Sequence, residues 1–310
     1  MEDGGERVRG RMGVVAAVLL PLTLMLTGCR DDPAVGDDPA VARGPAAEAR
    51  EVADGWRAES WRDLEVLVPA AWELDPPSPW CMARGADPRD PVVERPEGIR
   101  ALILCNPHRG AGARFFEPGV EDPWSVEPRE VPKGSDRYPA GSWAGTFVGE
   151  HVGVEVVAPT KALAEEVLAS VRDGLDVDSR GCLTAIRANT DLSGPDQVDG
   201  PLTICRYASA PLGSEASYWL AESRDLSAAG SDAVRRAVEA APRGRGALLR
   251  CHEPDSEVIL LLADGGEYAR VRNGRCGEHH VMTAATGGVT YHQPTDRLLE
   301  LLGSPWGNLR

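Results

Sequence analysis

Six cysteines carry the most legible chemistry in this 310-residue chain: Cys81, Cys105, Cys182, Cys205, Cys251 and Cys276. Sequence neighbours pair most simply as Cys81–Cys105, Cys182–Cys205 and Cys251–Cys276, with separations of 24, 23 and 25 residues. A disulfide closing a loop of that size contributes about 3 kcal/mol in the chain-entropy account. Zinc is the competing use of cysteine. Its usual knuckle, two cysteines separated by two residues, does not occur in the sequence.

Other reactive side chains are less well arranged. AGSWAG around Ser142 approaches the nucleophile elbow G-x-S-x-G, but Ala140 stands where the first glycine belongs. Ser142 is therefore expected in a polar loop. His252, His279, His280 and His292 lie in the second half, where Glu253 and Glu278 could add oxygen ligands for zinc or copper. Adjacent residues of a strand point to opposite faces, so His279 and His280 are poorly placed to share one ion. Exposed loop histidines are the plainer reading, and no metal residue is assigned. DVDSRG, residues 176–181, opens like a calcium loop, but Arg187 occupies the position where the loop needs its glutamate. Asp176 and Asp178 are expected in a solvated linker instead. No catalytic residue and no cofactor is assigned. A hydrolase built on His252 with Glu253 and a metal-capture protein remain the alternatives.

A seventh cysteine, Cys29, stands apart. Arg7, Arg9 and Arg11 precede an uncharged, apolar run over residues 13–26, too short and too interrupted by Pro21 for a transmembrane helix. Leu26, Thr27, Gly28 and Cys29 end that run. A branched apolar residue, two small residues and a cysteine resemble the lipobox of bacterial lipoproteins. That resemblance implies cleavage before Cys29, a diacylglyceryl group on its thiol, and acyl chains, palmitate among them, holding the protein to a cell membrane on its extracytoplasmic face. Two or more chains suffice for stable anchoring, at about 0.8 kcal/mol per buried CH₂. An oxidising location also suits paired cysteines.

The formal charge is −15, and residues 1–28 carry three acids and three arginines, so the remainder keeps −15. That excludes nucleic acid as an expected partner, because its binders cluster positive charge. Residues 29–54, with DDPAV twice, read as a flexible tether. The rest divides into an N-terminal domain over 55–178 and a C-terminal domain over 179–310. Strands are expected in LEVLVPAAW from Leu64, in IRALILC over 99–105, and twice in TFVGEHVGVEVVAP about Gly149. Further strands are expected in PLTICRY and ASYWLAE. Asp264, Gly265 and Gly266 form the turn of a hairpin.

Three helices complete the pattern. Thr160 caps the first, with Leu163, Val167, Leu168 and Val171 on one face and Gly174 beyond its end. Ser231 caps the second, with Val234, Ala237, Val238 and Ala241 inward and Pro242 as its stop. Thr295 caps the third, which closes at Gly303. Both halves end in strand, Pro-Thr, helix, which admits an internal duplication. Eight tryptophans against three phenylalanines are expected mostly in cores. Trp80 is placed to pack on the disulfide of Cys81, and Trp124 in a proline-rich loop is the best exposed contact.

The fold class is thus α+β: two small domains with antiparallel sheets, stabilised by disulfides. VPAAW and AEEVLASV in the first half resemble PsbP-like domains of secreted bacterial lipoproteins, over residues 60–173. That resemblance implies an α+β sandwich and carries no functional residue. The function expected is a non-catalytic binding or accessory role in the cell envelope, with a protein or cell-wall partner.

Overall fold

The computed structural model describes residues 50–74, 91–96, 110–119, 125–135, 138–187, 200–209, 218–244, 257–264, 266–273, 279–285 and 288–303. Fifteen strands and three helices lie there: β1 (Trp56–Trp61), β2 (Leu64–Pro69), β3 (Glu73–Leu74), β4 (Val92–Glu94), β5 (Gly112–Phe116), β6 (Arg129–Glu130), β7 (Trp143–Val148), β8 (Gly153–Ala158), α1 (Lys161–Ala169), β9 (Ala185–Ile186), β10 (Thr203–Ser209), β11 (Tyr218–Asp225), α2 (Ala228–Glu239), β12 (Glu257–Ala263), β13 (Gly266–Asn273), β14 (His279–Ala285), β15 (Gly288–His292) and α3 (Asp296–Leu302). The class is α+β, and its sheets are mostly antiparallel.

The first half holds a β1–β2 hairpin and a six-stranded sheet in the order β3-β4-β5-β8-β7-β6. Its β3–β4 and β4–β5 joins are parallel; the others are antiparallel. Val66 and Val68 of the hairpin, Val154 and Val156 of β8, and Ala164 and Val167 of α1 share one buried core with Trp61 and Trp72. Alternating valines with a period of two build the strand face, and α1 meets it at i, i+3 spacing. Thr160 caps α1, its hydroxyl accepting from the Leu163 amide at 3.3 Å. Gly112 shows why one glycine is needed. At φ 146° it passes so close to β4 that a Cβ would sit 1.9 Å from the Val92 carbonyl oxygen.

The second half is one seven-stranded antiparallel sheet, β15-β14-β13-β12-β10-β11-β9. One face carries Ile204, Ile259, Leu261, Val271 and Val281 against Val234 and Val238 of α2 and Leu298, Leu299 and Leu302 of α3. The opposite face packs Cys205, Tyr207, Val258 and Leu260 with Cys182 and Ile186. The hairpin at Asp264 forms as its turn residues require, joining β12 to β13. Thr295 caps α3 and Gly303 closes it in the left-handed conformation, φ 67°. Two arginines add to that closure. Arg206 donates to the Leu302 carbonyl at 2.6 Å and Arg224 to the Leu301 carbonyl at 3.4 Å, which suits cations at a helix C-terminus.

One cap differs from expectation. α2 begins at Ala228, so its N-cap is Ser227, whose hydroxyl accepts from the Gly230 amide at 3.1 Å. Ser231 is buried one turn inside. It donates to the Ser227 carbonyl at 3.0 Å and accepts from the Leu202 amide at 2.9 Å. Its hydroxyl thus ties helix to sheet, a tertiary use that competes with capping. The two halves share the Pro-Thr start of α1 and α3, but their sheets differ in strand order and direction. The described residues all fall in one compact unit. No described helix is long and apolar enough to cross a membrane.

Candidate functional site

Among the described residues, polar side chains converge where β1 of the first half meets β11 of the second, under the connecting segment 172–186. The expectation for Asp178 fails here. It is 1% exposed, not part of a solvated linker. Its Oδ1 accepts from the amides of Arg180 at 3.0 Å and Cys182 at 2.9 Å. Its Oδ2 takes a short hydrogen bond from the Ser223 hydroxyl of β11. Burial raises the Asp178 carboxyl above its usual value of 3.8, and this outweighs Ser223, the Cys182 amide and Arg180, all of which favour the charged form. Asp176 is exposed; its backbone carbonyl accepts the Thr184 amide at 2.9 Å. The calcium-loop start therefore serves as a turn held by one carboxylate.

Cys182 and Cys205 are bonded to each other, Cα atoms 5.6 Å apart, and both are buried. The bridge ties the segment to β10. Cys81, Cys105, Cys251 and Cys276 lie outside the described residues, as does Cys29.

The same segment grips the first half. Glu65, fully buried in β2, accepts from the Ser179 amide at 2.9 Å, from Arg50 at 3.3 Å and from Arg172 at 3.4 Å. Arg180 donates to the Ala58 carbonyl of β1 at 2.7 Å and to Ser223 at 3.3 Å, and pairs with Asp225 at 3.4 Å. Arg62, between β1 and β2, adds a direct pin. Its guanidinium stacks between Trp61 at 4.4 Å and Trp219 at 4.1 Å, and it pairs with Glu117. Its backbone amide donates to the Leu220 carbonyl at 2.6 Å. Arg62 holds φ 53°, which costs a non-glycine residue about 1–2 kcal/mol. Cation–π contacts of about 0.5–2 kcal/mol each offset that strain.

A third acid, the half-buried Glu222 of β11, lies among arginines. Arg206 and Arg224 approach it at 3.6 Å. Burial alone would raise its carboxyl, but Arg206, Arg95, Arg224 and Arg180 outweigh burial and hold it below the usual 4.5. Tyr207, fully buried on β10, finds no hydrogen-bond partner for its hydroxyl among the described residues. Burial, then the negative charges of Asp178 and Glu267, push that hydroxyl well above its usual value. Chemically this arrangement fixes backbone and excludes water. Its carboxylates are already committed to amides, a hydroxyl and guanidinium groups, which leaves little room for proton transfer to a substrate.

The other residues singled out in the sequence do not join it. Ser142 is buried in a turn, donating to the Pro139 carbonyl at 2.6 Å just before β7. His292 sits opposite Val281, and its Nδ1 donates to the Ala241 carbonyl at 3.0 Å. His280 is on the other face of β14, edge-on to Tyr291 at 6.1 Å. These two imidazoles therefore cannot meet. Both lie on or beside strands, so His280 and His292 are sheet residues, not loop residues. Among the described residues no three His, Cys, Asp or Glu side chains gather as metal ligands. His252, Glu253, Glu278, Trp80, Trp124 and the strand expected over 99–105 lie outside the described residues.

Glu65 and Glu222 are the site residues the sequence reading missed. A signal existed for the first. Glu65 is a lone acid within the apolar run LEVLV, and buried acids need partners. No family model matches the chain, and comparison with curated proteins and with solved structures finds no match either.

Proposed function

We propose that the protein is a lipoprotein of the extracytoplasmic membrane face, held through acyl chains on Cys29 at the end of the 29–54 tether. Its role in this reading is binding: an accessory protein of the envelope that meets a protein or cell-wall partner. The observation that carries it is the position of Cys29, directly after an uncharged apolar run and two small residues. The Cys182–Cys205 disulfide supports it, since such bonds persist in oxidising compartments. The likeness of residues 60–173 to PsbP-like domains of secreted lipoproteins fits the same location.

Mass analysis of the detergent-extracted protein tests the anchor. A mature chain beginning at a diacylglyceryl-modified Cys29 is expected, and Cys29→Ala is expected to leave the chain uncleaved and unlipidated. An unmodified thiol at Cys29 in the mature wild-type protein refutes it. Turnover of peptidoglycan, ester or peptide substrates by the purified ectodomain refutes the binding role.

A further inference from the structure

We infer that residues 172–186 form a strap locking the β1–β2 hairpin to the seven-stranded sheet, and that Cys182–Cys205 is its redox latch. The inference rests on the geometry of the joint and is independent of the anchor. Along its first stretch the strap belongs to the first half. Arg172 exchanges backbone hydrogen bonds with Glu65 of β2, both at 2.8 Å, and Leu175 donates to the Asp63 carbonyl at 3.0 Å. In its middle it serves both halves: Ser179 binds Glu65, Arg180 reaches Ala58 and Ser223 together, and Asp178 takes the Ser223 hydroxyl. At its end it joins the second half, where Leu220 donates to the Thr184 carbonyl at 2.9 Å and β9 pairs with β11.

Every tie but one is non-covalent: hydrogen bonds, ion pairs and the packing of Ile186 with Tyr207, Tyr218 and Leu220. The exception is the bond between Cys182 and Cys205, placed on the face of β10 directly beneath the strap. It also stands next to Asp178, whose Oδ1 takes the Cys182 amide. Covalent closure therefore holds the turn that presents Asp178 and Arg180 to Ser223. Breaking the bond loosens the centre of the strap, because the loop it closes regains conformational freedom of about 3 kcal/mol.

Opening is a reduction. A dithiol delivers two electrons, two protons enter, the S–S bond breaks, and two thiols form as the dithiol becomes a disulfide. Both sulfurs are fully buried, so reductant reaches them only when the strap lifts. The latch sets by the reverse exchange, in which a disulfide oxidant takes the two electrons and two protons and becomes a dithiol, and the hairpin and the seven-stranded sheet are then held in one fixed arrangement.

Arg180 supplies the readout, since trypsin cuts after arginine only where the backbone can leave the fold. The experiment compares limited tryptic digestion of wild-type protein and Cys182→Ala/Cys205→Ala, with cleavage sites identified by mass. Amide exchange of β10, β12 and the strap is measured on both proteins in parallel. The inference expects cleavage after Arg180 to rise by about a hundredfold in the variant, the scale set by loss of loop closure. Strap amides should lose protection while β10 and β12 keep theirs. Unchanged cleavage at Arg180 overturns the inference. So does parallel loss of protection in β10 and β12, or outright unfolding of the variant, because the bond would then be a general staple of the second half.

Discussion

Asp178→Ala tests the joint most directly. Three donors lose their acceptor: the amides of Arg180 and Cys182 and the Ser223 hydroxyl. The Ser223 oxygen still accepts from Arg180 at 3.3 Å and its hydroxyl proton can rotate, so the two fixed amides carry the damage. Leaving a buried donor unpaired costs about 1–3 kcal/mol, or roughly 2–6 kcal/mol for the pair. Removing a carboxylate that burial disfavours returns part of this, and a net loss of about 2–4 kcal/mol is expected. Urea denaturation at pH 7 measures it as a lowered midpoint at constant slope. Asp176→Ala is the internal control, because that side chain is exposed and only its backbone carbonyl is used. It should change stability by less than about 0.5 kcal/mol. Equal, small effects at both positions would refute the reasoning, since that is how two residues of a solvated linker behave. The pH dependence has a definite sign. The Asp178 carboxyl lies above 3.8 in the folded protein, so the fold binds this proton at higher pH than the unfolded chain does. Acidification through that raised value stabilises the fold at this group, and the stabilisation is lost as pH rises through it. The cost of Asp178→Asn should therefore be largest where the wild-type residue is already protonated, relative to any other pH at which both proteins remain folded.

Glu222→Gln behaves oppositely. Its carboxyl is held below 4.5 by arginines that outweigh burial, so its contribution is present above 4.5 and lost as pH falls through the lowered value. A loss of about 1–2 kcal/mol at pH 7 is expected, as for charge-assisted contacts that solvent still reaches, and pH-dependent denaturation should show wild type and variant converging in acid. Tyr207→Phe removes a buried hydroxyl without a partner among the described residues, so thermal denaturation should show a gain of about 1 kcal/mol; a loss would reveal a hydrogen bond. Gly112→Ala should destabilise by more than about 3 kcal/mol or prevent folding, because its Cβ would meet the Val92 carbonyl at 1.9 Å. Thr295→Ala should cost about 1 kcal/mol through loss of the α3 cap, read as a shift in the urea midpoint.

Local interactions made much of this fold readable from the chain. Thr160 and Thr295 mark helix starts because a hydroxyl three residues ahead of an amide satisfies it wherever the helix packs. Gly303 ends α3 and the turn at Asp264 joins β12 to β13 for the same reason: backbone dihedrals belong to the residue itself. The Cys182–Cys205 pair was reachable through the spacing of sequence neighbours, and the α+β class through alternating and helical periods. Ser231 marks the limit of that logic. Its sequence suits a cap, but the Leu202 amide of another element claims its hydroxyl.

What tertiary structure alone decided is the joint. WRAESW carries no apolar alternation, yet it forms β1 because β2 pairs with it and β11 packs beside it. Arg62 adopts a backbone conformation that suits glycine because two tryptophans, Trp61 beside it and Trp219 far along the chain, enclose its guanidinium. Asp178 looks like a surface acid in sequence and is buried, since Ser223 and two amides replace the water it gives up. Charge burial depends on partners distant in sequence, and the chain brings those partners together only when both sheets have formed.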